Sequence, residues 1–207
     1  MRFVLYASIG ILLLALLLQG IATAGAWILH RDQRYEDEIV WLERIGPFLP
    51  WERGLDGQLD ELRRETVRRE LVAGRLDGAV KALRQARAGL KARGVKPDRE
   101  MTAIGIETFT RAADHVERLG RLSVAADWDD SLFVFAIRAD EPQHRYAALA
   151  AFVEGLDLRV RDGKPCAALA RVEWAKKGLG GVIPGLQESI EEDLAVQCTQ
   201  SRRRGRG

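Results

Sequence analysis

The chain opens on a long apolar stretch and then changes character. Residues 3–29 are 27 consecutive positions without a charge, among them Ile11-Leu12-Leu13-Leu14-Ala15-Leu16-Leu17-Leu18. A helix rises about 1.5 Å per residue, so this stretch extends roughly 40 Å, more than the ~30 Å of a hydrocarbon core. Tyr6 and Trp27 stand near its two ends, where amphipathic rings favour the membrane–water interface. A cleaved secretory signal is the competing reading. Arg2 supplies a minimal basic region, and Ala22-Thr23-Ala24 or Ala24-Gly25-Ala26 supplies small residues for cleavage. The apolar run exceeds the ~7–15 residues of a signal core, which favours an uncleaved anchor over residues 1–29.

Beyond residue 30 the apolar positions recur at helical spacing. Tyr35, Ile39, Leu42 and Ile45 predict that the membrane helix runs on towards Gly46, where Gly46-Pro47 stops it and Pro50 prevents an early restart. Residues 30–55 thus read as a juxtamembrane helix extension ending in the aromatic loop Pro47-Phe48-Leu49-Pro50-Trp51. Trp27, Trp41, Phe48 and Trp51 are candidates for contact with the interface or with a partner. The alternative is a loop tucked under the body.

Leu55, Leu59, Leu62, Thr66, Val67 and Leu71 mark a helix over about 56–73. Ala79, Leu83, Ala86 and Leu90 mark the next, which ends at Gly94, and Asp98 caps a third carrying Met101, Ile104, Thr108, Ala112, Val116 and Leu119. Asp129, Asp130 or Ser131 would cap a short helix through Leu132-Phe133-Val134-Phe135-Ala136-Ile137, which has no strand-like segment to pair with. Asp140 with Pro142 starts a helix carrying Tyr146, Leu149, Val153, Leu156 and Val160. Two more follow over about 165–178 and 185–199, either side of a glycine-rich turn. The predicted fold is all-α: a single N-terminal transmembrane helix, an antiparallel helical bundle or solenoid over residues 56–199, and a flexible basic tail over 200–207.

Composition narrows the function classes. Hydrophobic residues are 47% and charged residues 30%, which excludes a disordered chain. The net charge is +2, but Arg202, Arg203, Arg204 and Arg206 carry it; without them 28 basic residues face 30 acidic ones. The body therefore offers no polyanion-binding surface, and no nucleic-acid partner is expected.

Two segments align without gaps. Gly74, Ala79, Leu83 and Ala86 in the first correspond to Gly163, Ala168, Val172 and Ala175 in the second. A small residue lets helix axes approach, and the aliphatic fills the groove between them. The pattern resembles the turn and second helix of a tetratricopeptide repeat. The family's first-helix Trp, Leu-Gly and Tyr signature is absent before Gly74, where Arg63, Thr66-Val67 and Glu70 stand, and the segments lie 89 residues apart rather than a multiple of 34. The resemblance implies a helical-repeat fold that binds other proteins on a concave face.

Cys166 opens one of the last two predicted helices and Cys198 closes the other, with their midpoint at residue 182 inside the glycine-rich turn. Residues equidistant from the turn of an antiparallel hairpin face each other, so the pair is a disulfide candidate; two buried free thiols are the alternative. Arg2 on one flank and His30, Arg31 and Arg34 on the other barely discriminate an orientation; a signal-like start leaves the N-terminus in the cytoplasm and carries the body across, and a disulfide would support that extracytoplasmic or periplasmic placement.

No catalytic pattern is present. His30, His115 and His144 lie at no metal-ligand spacing and read as surface or capping residues. Asp127-Trp128-Asp129-Asp130 lacks the glycine and distal glutamate of a calcium loop and reads as a capping turn. Gly178-Leu179-Gly180-Gly181 follows no strand and has no Lys-Ser/Thr ending. The expectation is a non-enzymatic, membrane-anchored helical scaffold or accessory subunit of a larger membrane complex, with no cofactor, metal or small-molecule substrate and with lipid and membrane-complex proteins as partners. The alternatives are a membrane-tethered assembly factor or chaperone-like module that binds clients transiently, and an enzyme with an unrecognised site.

Overall fold

The structure is a computed structural model and describes residues 2–48, 55–179 and 187–204. Among the described residues there are nine α-helices and no strand: α1 (Arg2–Arg31), α2 (Tyr35–Ile45), α3 (Leu55–Val72), α4 (Leu76–Ala92), α5 (Arg99–Arg118), α6 (Leu122–Ala136), α7 (Pro142–Arg161), α8 (Pro165–Leu179) and α9 (Gln187–Arg204). A 3-10 turn, Gly46–Phe48, follows α2. The chain divides into two compact units, Met1–Pro97 and Asp98–Gly207.

The expected run of the first helix towards Gly46 is replaced by a reversal. α1 ends at Arg31, Gln33 adopts φ 57°, and α2 starts at Tyr35. The Gln33 N–H donates to His30 O at 2.9 Å and the Arg34 N–H to Leu29 O at 2.9 Å, which closes the helix end with the left-handed cap usual for glycine. Periodicity alone does not show this break, because glutamine carries no turn signal.

The same cap closes α4 at Gly94 (φ 68°), and within the two units it recurs at Gly74, Gly120 and Gly163, whose φ values are 71°, 73° and 74°. At each, the next residue's N–H reaches back five residues: Arg75 to Glu70 O, Arg121 to Val116 O, and Lys164 to Arg159 O, at 2.9, 3.0 and 2.8 Å. The caps at Gln33, Gly74, Gly120 and Gly163 each join two helices that pack on one another: α1 with α2, α3 with α4, α5 with α6, and α7 with α8. Five residues past the cap stand Glu38, Ala79, Ala125 and Ala168, all buried. Nine residues past it stand Leu42, Leu83, Asp129 and Val172, also buried. The hairpin at Gly120 departs from the Gly/Ala pattern at Asp129, where Leu83 and Val172 fill the groove, and at Leu132, where Ala86 and Ala175 stand.

In the first unit, Ala26, Leu42, Leu59 and Leu62 form a core cluster against Tyr35, Ile39, Trp41 and Leu55. In the second, Phe133 stacks on Phe152 with centroids 4.5 Å apart and meets Trp174 edge-on at 6.3 Å. Gly105 of α5 admits the Phe135 ring, which would lie 2.1 Å from a Cβ there. The run 132–137 is thus the end of α6 with its C-cap Ile137, buried except for Val134; α6 starts at Leu122, and Asp129 to Ser131 lie within the helix rather than capping it.

α9 pairs with α8 through the Cys166–Cys198 disulfide, with S–S 2.00 Å and Cα–Cα 4.6 Å, and Lys176 contacts Glu191. Helix α9 continues to Arg204, so the expected flexible tail is helical through Arg202, Arg203 and Arg204. Three cations in a last turn complement the helix dipole. Arg206, Trp51 and the glycine-rich turn over 180–185 lie outside the described residues.

Candidate functional site

The feature that distinguishes the first unit is the α1–α2 hairpin. α2 runs back antiparallel along the last third of α1. The Trp41 indole N–H donates to Ala22 O at 3.2 Å. Its ring occupies the space a side chain at Gly25 would take, 2.6 Å from an ideal Cβ. Ala22 and Ala26 are buried beneath α2. Trp41 is therefore a half-buried packing residue, while Trp27 and Phe48 remain exposed. The Arg31 guanidinium lies over the Trp27 ring, 5.3 Å from its centroid.

Near the top of the hairpin, His30 Nδ1 lies 3.1 Å from Glu38 Oε2. Glu38 is only 1% exposed; burial pushes its carboxyl up, and the hydrogen bond and charge of His30 pull it down. The N-terminal part of α1 has no such cover: Ile11, Leu12, Leu13, Leu14, Leu16 and Leu17 are all exposed, Ile11 at 70%.

α2 itself carries Glu36, Asp37, Glu38, Glu43 and Arg44. A charge at the centre of a hydrocarbon layer costs about 2.5–3.5 kcal/mol, so immersing α2 would cost on the order of 10 kcal/mol. Immersing Ile28 and Leu29 beside it would contribute roughly 0.3–0.6 kcal/mol each. The charges win by a wide margin, and whatever packs against α2 stays out of hydrocarbon with it.

Between α2, α3 and α4 an open cavity of about 550 Å³ is lined by Ile39, Val40, Thr66, Ala82 and Ala88 together with Glu36, Glu43, Lys81 and Gln85. Arg63 closes one wall; it donates to Glu43 Oε1 at 2.7 Å and crosses Gly89, where a Cβ would meet its guanidinium. At the end of the same hairpin Arg93 holds Asp60 at 2.5 Å and Asp56 at 2.9 Å, which keeps the start of α3 against the end of α4.

The repeat positions are packing positions. Ala79, Leu83 and Ala86 are fully buried in α4, which packs on α3, and Ala168, Val172 and Ala175 are buried likewise in the second unit. These residues fill seams between helices, and none of them lines the cavity between α2, α3 and α4.

In the second unit the acidic cluster lies along α6. Asp130 is held by Arg159 at 2.6 Å and by Arg171 Nε at 2.9 Å, and Arg159 also reaches Asp127 at 3.0 Å. Asp129, 5% exposed, faces Gly155 of α7, and its Oδ2 has no hydrogen-bond partner. Burial first, then the charges of Glu154, Asp130, Asp114 and Glu117, raise its carboxyl from 3.8 to about 7. His144 is buried in the first turn of α7 rather than on the surface, its Nδ1 3.3 Å from Glu141 Oε2 but unaligned for a hydrogen bond. Among the described residues no three His, Cys, Asp or Glu side chains are grouped to hold a metal ion.

Among the described residues Asp129 and Glu38 are the buried carboxyls, and hydrophobic periodicity does not reveal either one's burial. Their signal was positional: both stand at cap-relative places where the other hairpins carry Ala, Leu or Val. No protein-family model, curated protein or solved structure matches this chain.

Proposed function

We propose that the protein is a single-pass membrane protein whose helical hairpins serve as a scaffold or accessory subunit of a membrane complex, with the body on the extracytoplasmic side. The observation that carries this reading is the dual use of α1. Its first part, including most of the window Ile9–Arg31 that is apolar enough to cross a membrane, exposes aliphatic side chains all round. Its last part is built into the fold through Ala22, Gly25 and Ala26. Cleavage after Ala24 or Ala26 would remove the surface on which Trp41 and Leu42 pack, so retention of the helix is favoured over a signal sequence.

The Cys166–Cys198 disulfide supports an oxidising compartment for the body. Recurrence of one cap and one set of buried positions in four hairpins supports a tetratricopeptide-like repeat, and such repeats commonly bind proteins. Extraction in mild detergent with a tag at Gly207 is expected to recover fixed stoichiometric partners, and the tag is expected to be protease-accessible from outside. A lone monomer under every extraction condition would overturn the subunit reading. The second reading, an assembly factor binding clients transiently, is favoured by the open cavity between α2 and α4, and substoichiometric, exchangeable partners would select it.

A further inference from the structure

We infer that the protein docks on its own bilayer through the end of α2, with Phe48 at the hydrocarbon edge, Arg44 at the phosphate layer, and residues 22–31 of α1 clear of the hydrocarbon. The inference rests on the reading that α1 crosses the membrane.

The argument is one of axial register. In the antiparallel hairpin Glu38 lies beside His30, and Trp41 lies beside Ala22 and Gly25. Each step along α2 therefore descends one step along α1. Seven residues beyond Trp41, Phe48 reaches the level of about Leu18 or Gln19. Counting from Phe3, a ~30 Å hydrocarbon layer is filled by about 20 helical residues and ends near Ala22. Phe48 thus falls roughly 5 Å inside that edge, and Arg44 falls at it.

The chemistry at each level agrees. Phe48 is 69% exposed and apolar where lipid chains begin. Arg44 is exposed where phosphates lie. Glu43 beside it is paired with Arg63, so its charge is offset. The charges of α2 hold the apolar residues 27–29 out of the layer that their own sequence would enter. The occupant of the exposed 3-10 turn is therefore the membrane in which α1 is already anchored, and not a protein.

The test is spin-label depth on the full chain in phosphatidylcholine nanodiscs. Single nitroxides are placed by Leu13→Cys, Ile28→Cys, Phe48→Cys and Val72→Cys; Val72 is 89% exposed at the far end of α3, and both native cysteines are in the disulfide. The expected order has Leu13 deepest, then Phe48, with Ile28 and Val72 aqueous, and the oxygen-to-nickel-chelate accessibility ratio at Phe48 severalfold above that at Val72. With Leu13 deep, an Ile28 label as deep as Phe48, or a Phe48 label matching Val72, overturns the inference alone. A Leu13 label in water overturns the membrane-spanning reading and the inference with it.

Discussion

Replacing Asp129 by asparagine is expected to stabilise the second unit at pH 8 and to change little at pH 4. The carboxyl is buried opposite Gly155, and its pKa stands at about 7 against an ordinary 3.8. A raised carboxyl pKa opposes folding wherever the group is ionised in both states. Above pH 7 the full penalty is present. Between about pH 4 and 7 the folded protein holds a proton that the unfolded chain has released, so stability rises as pH falls through 7 and levels near 4. About three pK units correspond to ~4 kcal/mol as an upper bound. Solvent screening and an asparagine NH₂ without a partner remove roughly half of it, leaving ~2 kcal/mol at pH 8. On a unit of this size that is on the order of 10 °C in Tm. Circular-dichroism melts of the detergent-solubilised chain at pH 4 and 8 measure it, and hydrogen exchange in α6 assigns the change to the second unit. An Asp129→Asn variant that differs from the parent equally at both pH values would refute the reasoning.

Three further outcomes follow from the packing. Gly25→Leu drives a side chain into the Trp41 ring and is expected to cost about 1–3 kcal/mol by overpacking, read as new protease cutting at residues 32–34. Denatured, unreduced protein is expected to show no titratable thiol, and Cys198→Ser to cost about 3–4 kcal/mol for a loop with a sequence separation of 32; two reactive thiols in the parent would remove the argument for an oxidising compartment. Gln33→Gly relieves a left-handed residue at φ 57° and keeps the Arg69 bond to the Gln33 carbonyl, so it is expected to stabilise the first unit by up to about 1 kcal/mol. A loss of more than that in urea unfolding would show that the exposed Arg69 contact to the Gln33 side chain outweighs the backbone strain.

The features that local chemistry dictates are legible in the sequence itself. Apolar spacing at 3.6 residues marked most of the helices, because each must bury one stripe. Gly74, Gly94 and Gly163 marked helix ends, because a glycine takes the left-handed cap at no steric cost. The facing of Cys166 and Cys198 followed from hairpin symmetry about residue 182. What only the tertiary structure decided are the places where a residue acts against its type. Gln33 turns the chain as a glycine would, which converts an expected straight extension into a hairpin that returns to the level of Gln19. Glu38 and Asp129 occupy buried seam positions where the other hairpins place Ala, Leu or Val. A local pattern reports what a residue prefers on average; whether Gly155 stands across from Asp129, or Ala22 and Gly25 beneath Trp41, depends on helices brought together from distant parts of the chain.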